Sequence, residues 1–405
     1  MAERPELRAP LLLLLAAGAG LSAANLYYNQ PILGAIAKDL EATPSEVGWL
    51  PMLTQAGYAT GIFAFAPLGD RFDLRRVILV KGIVLAAALL GASYAPSIPA
   101  LAAVSFAIGL SATTAQDFVP AAAALAPEGA RGKIVGTVMT GLLLGILLSR
   151  VASGAVGERF GWRAVYVAAS ALFAALVAVV ALRLPSITPV TKPTPYRTLL
   201  LSTFGLVRAH GSLRRAAIAQ GLLSVAFSGF WSTLAIVLAK EPFRLGSTVA
   251  GSFGIAGAAG AAIAPVAGSL ADRRGPAFVL RIGTLVVLGS FLAMTLAPGS
   301  LAILILATIV FDLGVQACLI SHQTIVYGID AKARSRLNSV LVSTMFLGMA
   351  TGSAIATRIV DHGGLASIGM LGVVVSAAAF VVCLRPHATP RGNIEASRNE
   401  PRPRP

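Results

Sequence analysis

The chain has 405 residues, of which 56% are hydrophobic and only 12% are charged. Because an ordinary soluble domain is about 25% charged, this composition excludes a soluble globular chain and a disordered one, and it indicates an integral membrane protein. The net charge of +15 would suggest a nucleic-acid partner in a soluble protein, so its meaning here depends on where the charges lie.

Twelve apolar stretches follow one another along the chain, each long enough for a membrane-spanning helix of about 20 residues. None alternates with the two-residue period of a transmembrane β-barrel strand. The first stretch resembles the apolar core of a signal peptide, but it continues to Ile36, and we therefore expect an uncleaved helix. The predicted spans are residues 10–35, 46–67, 77–95, 99–126, 134–157, 163–183, 215–239, 247–270, 277–296, 300–327, 337–358 and 364–384.

The distribution of positive charge predicts the orientation. If the N-terminus is cytoplasmic, 25 of the 32 lysines and arginines fall on the cytoplasmic side and six fall on the outer side, while Arg150 falls inside a span. Lys81 is counted with the cytoplasmic loop after the second span. Because cytoplasmic loops carry an excess of Lys and Arg, both termini are predicted to be cytoplasmic, and the net charge needs no nucleic-acid partner.

A weakly apolar stretch divides the spans six and six. Its first half contains four prolines and should be extended, whereas Tyr196 to Val207 forms either a short amphipathic helix on the inner surface or an ordered linker. The polar, Pro/Arg-rich end of the chain is expected to be disordered. The predicted divisions are an N-terminal six-helix bundle at 1–183, a cytoplasmic linker at 184–214, a C-terminal six-helix bundle at 215–385 and a cytoplasmic tail at 386–405.

The two halves repeat each other at a nearly constant offset. Two Asp-Arg loops, one after the second span and one after the eighth, have aspartates 202 residues apart, and the basic loops after the fourth and tenth spans are 203 residues apart. This duplication predicts two pseudo-symmetric bundles with a site between them. The residues that the offset aligns are Asp70 with Asp272, and Tyr27-Tyr28 with Phe230-Trp231.

The loops at 67–76 and 268–275 resemble the loop signature of the major facilitator superfamily, G-x-L-x-D-R/K-x-G-R-R/K. The second loop follows this signature through Gly275, whereas the first has Ala66 and Asp73 at its two glycine positions. Together with the runs at 25–31, 150–154 and 312–316, they make the chain similar to the YnfM-type (acriflavine-sensitivity) transporters. The resemblance implies a major facilitator fold and a proton-driven efflux carrier of the bacterial inner membrane.

The Asp-Arg loops are predicted to form a cytoplasmic gate. A loop carboxylate is stabilised at the N-terminus of a neighbouring helix, so Asp70 would face the start of the eleventh span and Asp272 the start of the fifth. The arginines would bind carboxylates or lipid phosphates, or they would serve only to fix the orientation. The predicted gate residues are Asp70, Arg71, Arg75, Asp272 and Arg273.

Charges inside the membrane mark the predicted coupling site, because each costs at least about 2.5–3.5 kcal/mol at the membrane centre. Arg150 and Asp312 are expected at similar depth, with Asp117 about 10 Å nearer the cytoplasm. We therefore predict an ion pair between Arg150 and Asp312, which either breaks when Asp312 takes a proton or is permanent. Asp117 is expected to be a proton carrier, a contact for a substrate cation or a polar wedge. His322 is expected either to join the proton path, because histidine titrates near neutral pH, or to be an interior histidine whose hydrogen bonds are satisfied.

A polar and aromatic run in the first span replaces the leucines expected on a lipid-facing helix. With the aromatic pair of the seventh span it is predicted to line an apolar cavity with a few hydrogen-bonding groups, the alternative being an aromatic belt at the outer interface. The predicted cavity residues are Asn25, Tyr27, Tyr28, Asn29, Gln30, Phe230, Trp231 and Gln316.

The expected function is secondary active transport, namely proton-coupled efflux of a drug or metabolite by alternating access. The alternatives are uptake by proton symport and a non-transporting membrane receptor. The sequence has no H-E-x-x-H, G-x-S-x-G or phosphate-binding G-x-x-x-x-G-K-[ST] motif, which argues against an enzyme and against direct use of ATP. We expect no catalytic residue, no metal and no cofactor beyond the proton gradient. The expected partners are a small-molecule substrate and membrane lipid, with no nucleic acid, and the chain is expected to be a monomer.

Overall fold

A computed structural model describes residues 9–65, 68, 71–127, 130–188, 196–262, 264–330 and 333–384. These residues form helices and connecting turns, and no strand occurs among them. The helices are α1 (Ala9–Ala24), α2 (Asn29–Asp39), α3 (Pro44–Val47), α4 (Trp49–Phe65), α5 (Leu74–Ser93), α6 (Ile98–Ala112), α7 (Ala115–Leu125), α8 (Arg131–Phe160), α9 (Trp162–Arg183), α10 (Tyr196–Ala209), α11 (Gly211–Ala239), α12 (Ser247–Ala262), α13 (Ala264–Arg274), α14 (Pro276–Leu296), α15 (Leu301–Tyr327) and α16 (Arg334–Leu384).

These helices correspond to the twelve predicted spans. Nine segments within the described ranges are long and apolar enough to cross a membrane. One of them contains both the eleventh and the twelfth span, because α16 turns at Gly364, where φ is 52° and ψ is −138°. The second span is α4, which has 17 residues, and the eighth is formed by α12 and α13 together.

Two spans are broken in the middle, each a few residues before a proline. The first is interrupted between α1 and α2, where the amide of Gln30 donates to the carbonyl of Tyr27. The fourth is interrupted between α6 and α7, where the amide of Gln116 donates to the carbonyl of Thr113. Such i to i+3 bonds tighten the chain locally, and the proline that follows cannot donate a backbone bond. The polar residues Asn29, Gln30, Gln116 and Asp117 lie directly after these breaks.

The helices pack in the same pattern in each half. Counted as spans, the first packs on the fifth, the second on the fourth and the third on the sixth, through the helix pairs α1–α8, α4–α6 and α5–α9. The equivalent pairs of the second half are α11–α16, α12–α15 and α14–α16. The duplication read in the sequence is therefore present in the packing.

The halves meet along pairs of helices that the same symmetry relates. Helix α8 packs on α12, α4 packs on α16, and α2 packs on α11. Because successive spans alternate in direction, the starts of α1, α5 and α16 lie at one end of the bundle, which we term the terminal face. The ends of α2, α8 and α11 lie at the other end, which we term the opposite face.

The amphipathic segment predicted from Tyr196 forms a helix, α10. Its Phe204 ring lies 5.5 Å from the ring of Phe63 near the end of α4, in an edge-on arrangement. The hydroxyl of Ser202 on α10 accepts a hydrogen bond of 2.7 Å from Arg336 at the start of α16. Helix α10 thus contacts both halves at the terminal face.

Candidate functional site

A cavity of about 430 Å³ lies between the two halves, on the side of the terminal face. The first residue of α5 and residues within the first two turns of α8 and α16 line it, which places it near that end of the bundle. The second half contributes part of the wall through α16. The lining residues are Gly61, Ile62, Phe65, Leu74, Lys81, Thr113, Gln116, Asp117, Val119, Pro120, Ala123, Val135, Asn338, Ser339 and Val342.

A buried ion pair lies in the wall of this cavity. Lys81 Nζ on α5 is 2.5 Å from Asp117 Oδ2 on α7, and their side chains are 9% and 12% exposed. Asp117 follows the break before α7, which turns it toward α5. The Lys81 ammonium also lies 5.7 Å from the centre of the Phe65 ring. Apart from this pair, the residues that line the cavity are uncharged.

The position of Lys81 corrects the sequence analysis, which counted this lysine among the loop cations of the cytoplasmic side. Lys81 is the eighth residue of α5 and is buried. Its location within the predicted span 77–95 could have revealed it, because a lysine within an apolar span needs a partner. Asp117 was recognised as an intramembrane charge, but its partner was not.

Contacts between the halves close the bundle beyond the cavity. The ring of Tyr58 on α4 lies 4.4 Å from the ring of Phe346 on α16. The Tyr58 hydroxyl accepts a 3.0 Å hydrogen bond from Gln116 of the cavity wall. Nearby, the hydroxyl of Ser228 on α11 donates to Gln55 Oε1 on α4 at 3.1 Å. These side chains form a layer that bounds the cavity and joins the two halves, which we term the closed layer.

Arg150 is a charged group in this closed layer. Its guanidinium carbon lies 4.5 Å from the ring centre of Tyr27 and 4.1 Å from that of Trp231, so it stacks against one ring from each half. Its Nε donates to Gln30 Oε1 at 3.0 Å. The side chain is buried, and Nη2 has no hydrogen-bond partner. Stacking on aromatic faces is how a buried guanidinium is held without a carboxylate.

The expected ion pair between Arg150 and Asp312 is not formed, and this prediction was wrong for the conformation described. No contact of 4.0 Å or less joins their charged atoms. Instead, the indole nitrogen of Trp231 donates to Asp312 Oδ1 at 3.5 Å. Trp231 therefore contacts both groups. Its ring packs against the Arg150 guanidinium, and its indole N–H donates to Asp312.

The polar run of the first span is buried except for the half-buried Tyr28, and it does not line the 430 Å³ cavity. The Asn25 amide donates to the carbonyl of Leu21 at 2.6 Å, and that of Asn29 donates to Thr54 at 3.1 Å. The carbonyl of Tyr28 accepts from Ser153 at 2.5 Å. The run thus stabilises the closed layer of this conformation through hydrogen bonds to α4 and α8.

The aromatic pair of the seventh span lies in the same layer. Phe230 packs 5.0 Å from the ring of Phe311 and 5.5 Å from that of Trp231. Gln316 is half-buried, one turn along α15 from Asp312. The structure therefore brings Tyr27, Gln30 and Trp231 together around Arg150, while Phe230 supports Trp231 from the side.

His322 lies in a different part of the second half. Its Nδ1 is 2.9 Å from Gln220 Oε1 on α11, and the side chain is fully buried. It is ten residues, or about 15 Å, from Asp312 along α15. This contact joins α15 to α11 and lies outside the cavity wall.

The gate residues are only partly described. Asp70 lies outside the described residues, and Asp272 lies in α13 without a described side chain. Arg71 and Arg273 are exposed. Arg75 donates to the carbonyl of Ala181 in the last turn of α9, so it binds a helix C-terminus rather than the expected carboxylate or phosphate. Gating by Asp70 and Asp272 stays a prediction.

Asp73, which occupies a glycine position of the loop signature, links the start of α5 to the segment that follows α9. Its carboxylate accepts hydrogen bonds from the Arg75 amide at 3.0 Å, the Ser186 hydroxyl at 2.8 Å and the Ile187 amide at 2.9 Å. It thereby caps α5 and holds the segment that leaves α9. Partial burial raises the pKa of Asp73, but these three bonds outweigh burial and bring the pKa below its ordinary value of 3.8.

Replacing Asp73 with alanine is expected to reduce stability by about 1 kcal/mol, because a helix cap is lost and residues 184–188 are released. Since the folded-state pKa is lowered, this contribution is present above the ordinary pKa and is lost as the pH falls through the lowered value. Thermal unfolding of the purified protein in detergent measures it. Arg71→Ala, which removes an exposed side chain from the same loop, should leave the transition unchanged, and an equal shift in both variants would contradict the assignment.

At the opposite face the two halves are in close contact. Glu158 near the end of α8 accepts a 2.6 Å hydrogen bond from the Thr248 amide at the start of α12. The hydroxyl of Ser353 on α16 donates to the carbonyl of Gly48 at 3.3 Å. A Cβ placed on Gly154 would lie 3.1 Å from the Cα of Gly251. The opposite face is therefore closed.

The glycines of α8 pack against two different helices. Gly154 approaches Gly251 of α12 in the second half, whereas Gly141 and Gly145 pack against Ala16 and Gly20 of α1, within the first half. Small residues permit close approach to any neighbouring helix. The glycine pattern in the sequence therefore indicates that a helix packs closely, but it does not identify the neighbouring helix.

Replacing Gly154 with alanine is expected to reduce transport at least about tenfold, because the added methyl overlaps α12 and prevents closure of the opposite face. Gly136→Ala on the same helix is the matched control, since no atom lies within 4 Å of a Cβ there. Alanine favours a helix over glycine by about 1 kcal/mol, so the control should be at least as stable as the wild type. Equal transport by the two variants would show that the contact is not needed.

The family model of the Major Facilitator Superfamily matches residues 15–327 of the chain. The chain belongs to the Major Facilitator Superfamily. It is 36% identical to an uncharacterized transporter, YgaY, of Escherichia coli O157:H7, over 94% of this chain and 96% of that protein. It is 34% identical to SCO4007, a probable transporter of Streptomyces coelicolor, over 87% of this chain and 81% of that protein.

Solved structures show the same superfamily fold. A bacterial homologue of the human lysosomal transporter Spinster, in an inward-facing and occupied conformation, superposes with a TM-score of 0.74 at 15% identity, covering 93% of this chain and 97% of that one. The nucleoside transporter NupG superposes with a TM-score of 0.75 at 15% identity, covering 92% and 98%. The predicted all-helical fold is confirmed. The chain is a multi-pass membrane protein and a secondary transporter of the superfamily, not an enzyme.

Proposed function

We propose that this superfamily member is a proton-coupled carrier of a small organic molecule that works by alternating access in the bacterial inner membrane, with both termini cytoplasmic. The observation that carries the proposal is the carboxylate of Asp117 in the wall of a cavity between the halves. A membrane-embedded carboxylate is costly unless it serves a pathway or a partner. In this position it can exchange a proton with water that enters from the terminal face.

Alternating access is supported by the asymmetry of the bundle. A cavity lies on the terminal side, while Arg150 and Trp231 join the halves at mid-depth and Glu158 joins them at the opposite face. Rocking of one half against the other would break these contacts and open the opposite face. We take residues 1–183 and 215–385 as the moving bundles and 184–214 as their linker. We retain Asp70 and Asp272 as the proposed terminal-face gate.

Two directions of transport have specific support. Export is implied by the sequence resemblance to YnfM-type carriers, and we propose it as the first candidate. Uptake by symport is the second, favoured by the cation that accompanies each intramembrane carboxylate, Lys81 beside Asp117 and Arg150 across Trp231 from Asp312. Such an arrangement becomes net positive when a carboxylate is protonated, which would favour an anionic solute together with the proton.

The experiment is transport by the purified chain in liposomes under an imposed pH gradient, against a mixed library of drugs and metabolites. Solute movement against the proton flow would establish export, and movement with the proton flow would establish uptake. Solute movement whose rate and direction do not depend on the pH gradient would refute proton coupling. If no solute moves, the receptor alternative is favoured over transport.

A further inference from the structure

We propose that Lys81 is the binding group for an anionic substrate, specifically the carboxylate of a small, largely apolar organic acid, and that protonation of Asp117 releases it for this role. The inference rests on the proposed function, because it names the substrate class of that same cavity and extends its symport form. It starts from the Lys81–Asp117 pair, the charged part of the cavity wall.

Among the residues that the structure describes, none gives Lys81 a second anion. Neither α1 nor α6 contains an ionisable residue, and α4 contributes Tyr58, whose hydroxyl binds Gln116. On α8, Arg131 and Lys133 are exposed at the terminal face. The remaining ionisable groups of the neighbouring helices lie away from the pair: Arg163, Tyr166 and Arg183 on α9, Arg75 and Arg76 on α5, Arg150, Glu158 and Arg159 further along α8, and Arg334, Arg336, Arg358, Asp361, His362 and Cys383 on α16, where Asp361 pairs with Lys240.

Protonation of Asp117 changes the charge of the cavity wall from neutral to +1. The proton comes from water on the terminal side and joins a carboxylate oxygen, so the N–H of Lys81 loses its charged acceptor. A lone ammonium in a membrane interior is costly. An anionic group that enters the cavity restores the charge-assisted hydrogen bond, while the proton stays on Asp117.

The rest of the cavity fits the remainder of such a molecule. Its volume of about 430 Å³ lies in the range of small-molecule pockets, which are mostly apolar with a few polar groups. Ile62 and Phe65 provide apolar and aromatic surface beside Lys81. Across the cavity, Asn338 of the second half has a buried Oδ1 without a hydrogen-bond partner. A donor on the substrate could satisfy it and so connect both halves.

Proton and anion are therefore predicted to bind together. Each raises the affinity for the other, because reciprocal coupling is required by thermodynamic linkage. A cationic substrate would have the opposite coupling, since it would compete with the proton for Asp117. The sign of the coupling identifies the substrate class.

The test measures binding of benzoate, benzamide and benzylamine, which share one ring and differ in charge, to the purified full-length protein by calorimetry. Benzoate should bind at least about tenfold more tightly at about pH 5 than at about pH 8, and the amide and the amine should not show this increase. Asp117→Asn mimics the protonated carboxylate and frees Lys81 permanently. This variant should bind benzoate tightly at both pH values, a gain that misfolding cannot produce.

Lys81→Met should abolish benzoate binding, and so should the double variant Lys81→Met/Asp117→Asn, which leaves no unpaired charge to disturb folding. Asp39→Asn is the control, because this exposed carboxylate pairs with Arg163 at the opposite face and should bind benzoate like the wild type. The proposal is overturned if benzylamine or benzamide binds better than benzoate. It is also overturned if Asp117→Asn does not bind benzoate, or if the double variant still does.

Failure of this site and failure of the proposed function give different results. If benzoate binds as expected but no solute movement in liposomes is coupled to protons, the anion site stands and proton coupling fails. If proton-coupled movement is found for amines while benzoate does not bind, proton coupling stands and the anion site fails.

Discussion

Replacing Arg150 with methionine is expected to open the opposite face of the transporter. In the structure the guanidinium stacks on Tyr27 of the first half and on Trp231 of the second. A desolvated contact of this kind is worth about 2 kcal/mol, which corresponds to about a 30-fold shift in the ratio of the two conformations. We therefore expect the variant to populate the state that is open at the opposite face and to lose most of its transport, because each cycle needs the opposite face to close.

A cysteine in place of Ser353 reports this change. Ser353 is fully buried and donates to the carbonyl of Gly48 across the two halves. The native Cys318 and Cys383 are also buried. A membrane-impermeant thiol reagent should label the reporter faster in the Arg150→Met background than in the wild type.

Arg163→Met is the matched control for this experiment. Arg163 stacks on Trp162 with its guanidinium carbon 4.2 Å from the ring centre, but both residues belong to the first half. Its removal should leave labelling unchanged. Equal labelling in the Arg150 variant and the wild type would show that the stack does not hold the halves together.

Replacing Asp312 with asparagine is expected to reduce proton-driven accumulation at least about 100-fold while leaving downhill movement of the same solute within about twofold. Asp312 is buried, and the described structure gives it an indole N–H at 3.5 Å and no ion-pair partner. A buried carboxylate that forms no direct ion pair is stabilised by taking a proton. Asparagine keeps the shape of the group but cannot carry that proton.

The measurement is solute accumulation in liposomes with and without a pH gradient. Asp361→Asn is the control on the same half, because this carboxylate forms an exposed ion pair with Lys240 at 2.7 Å. It should retain full accumulation. If Asp312→Asn also retains it, Asp312 is not a proton carrier, and the coupling proton belongs to Asp117 alone.

Together, the two carboxylates would divide the coupling between different steps. Asp117 lies in the cavity wall and can exchange a proton from the terminal side in this conformation. Asp312 lies in the closed layer behind Trp231, and water would reach it once that layer opens. The proposed cycle therefore has one proton site for each side of the barrier.

The amino-acid sequence by itself determined the spans, the duplication and the presence of intramembrane charge. Apolar runs of about 20 residues identify spanning helices wherever they occur. The offset between the halves aligned Tyr27-Tyr28 with Phe230-Trp231, and one ring of each pair, Tyr27 and Trp231, packs against Arg150. These features depend on local composition or on comparison of the halves, and neither requires knowledge of how the helices are rotated.

Tertiary structure alone decided which groups meet. Lys81 was assigned to a loop and proved to pair with Asp117 on α7, and Arg150 proved to stack on aromatic rings instead of pairing with Asp312. The glycines of α8 proved to serve two different neighbours. In a soluble protein, the polar face of a helix shows which side is turned to solvent, and so how the helix is rotated about its axis. A membrane helix gives no such signal, because lipid and protein interior are both apolar. The rotation of each membrane helix, and with it the partner of each buried charge, is therefore set by packing among the twelve spans.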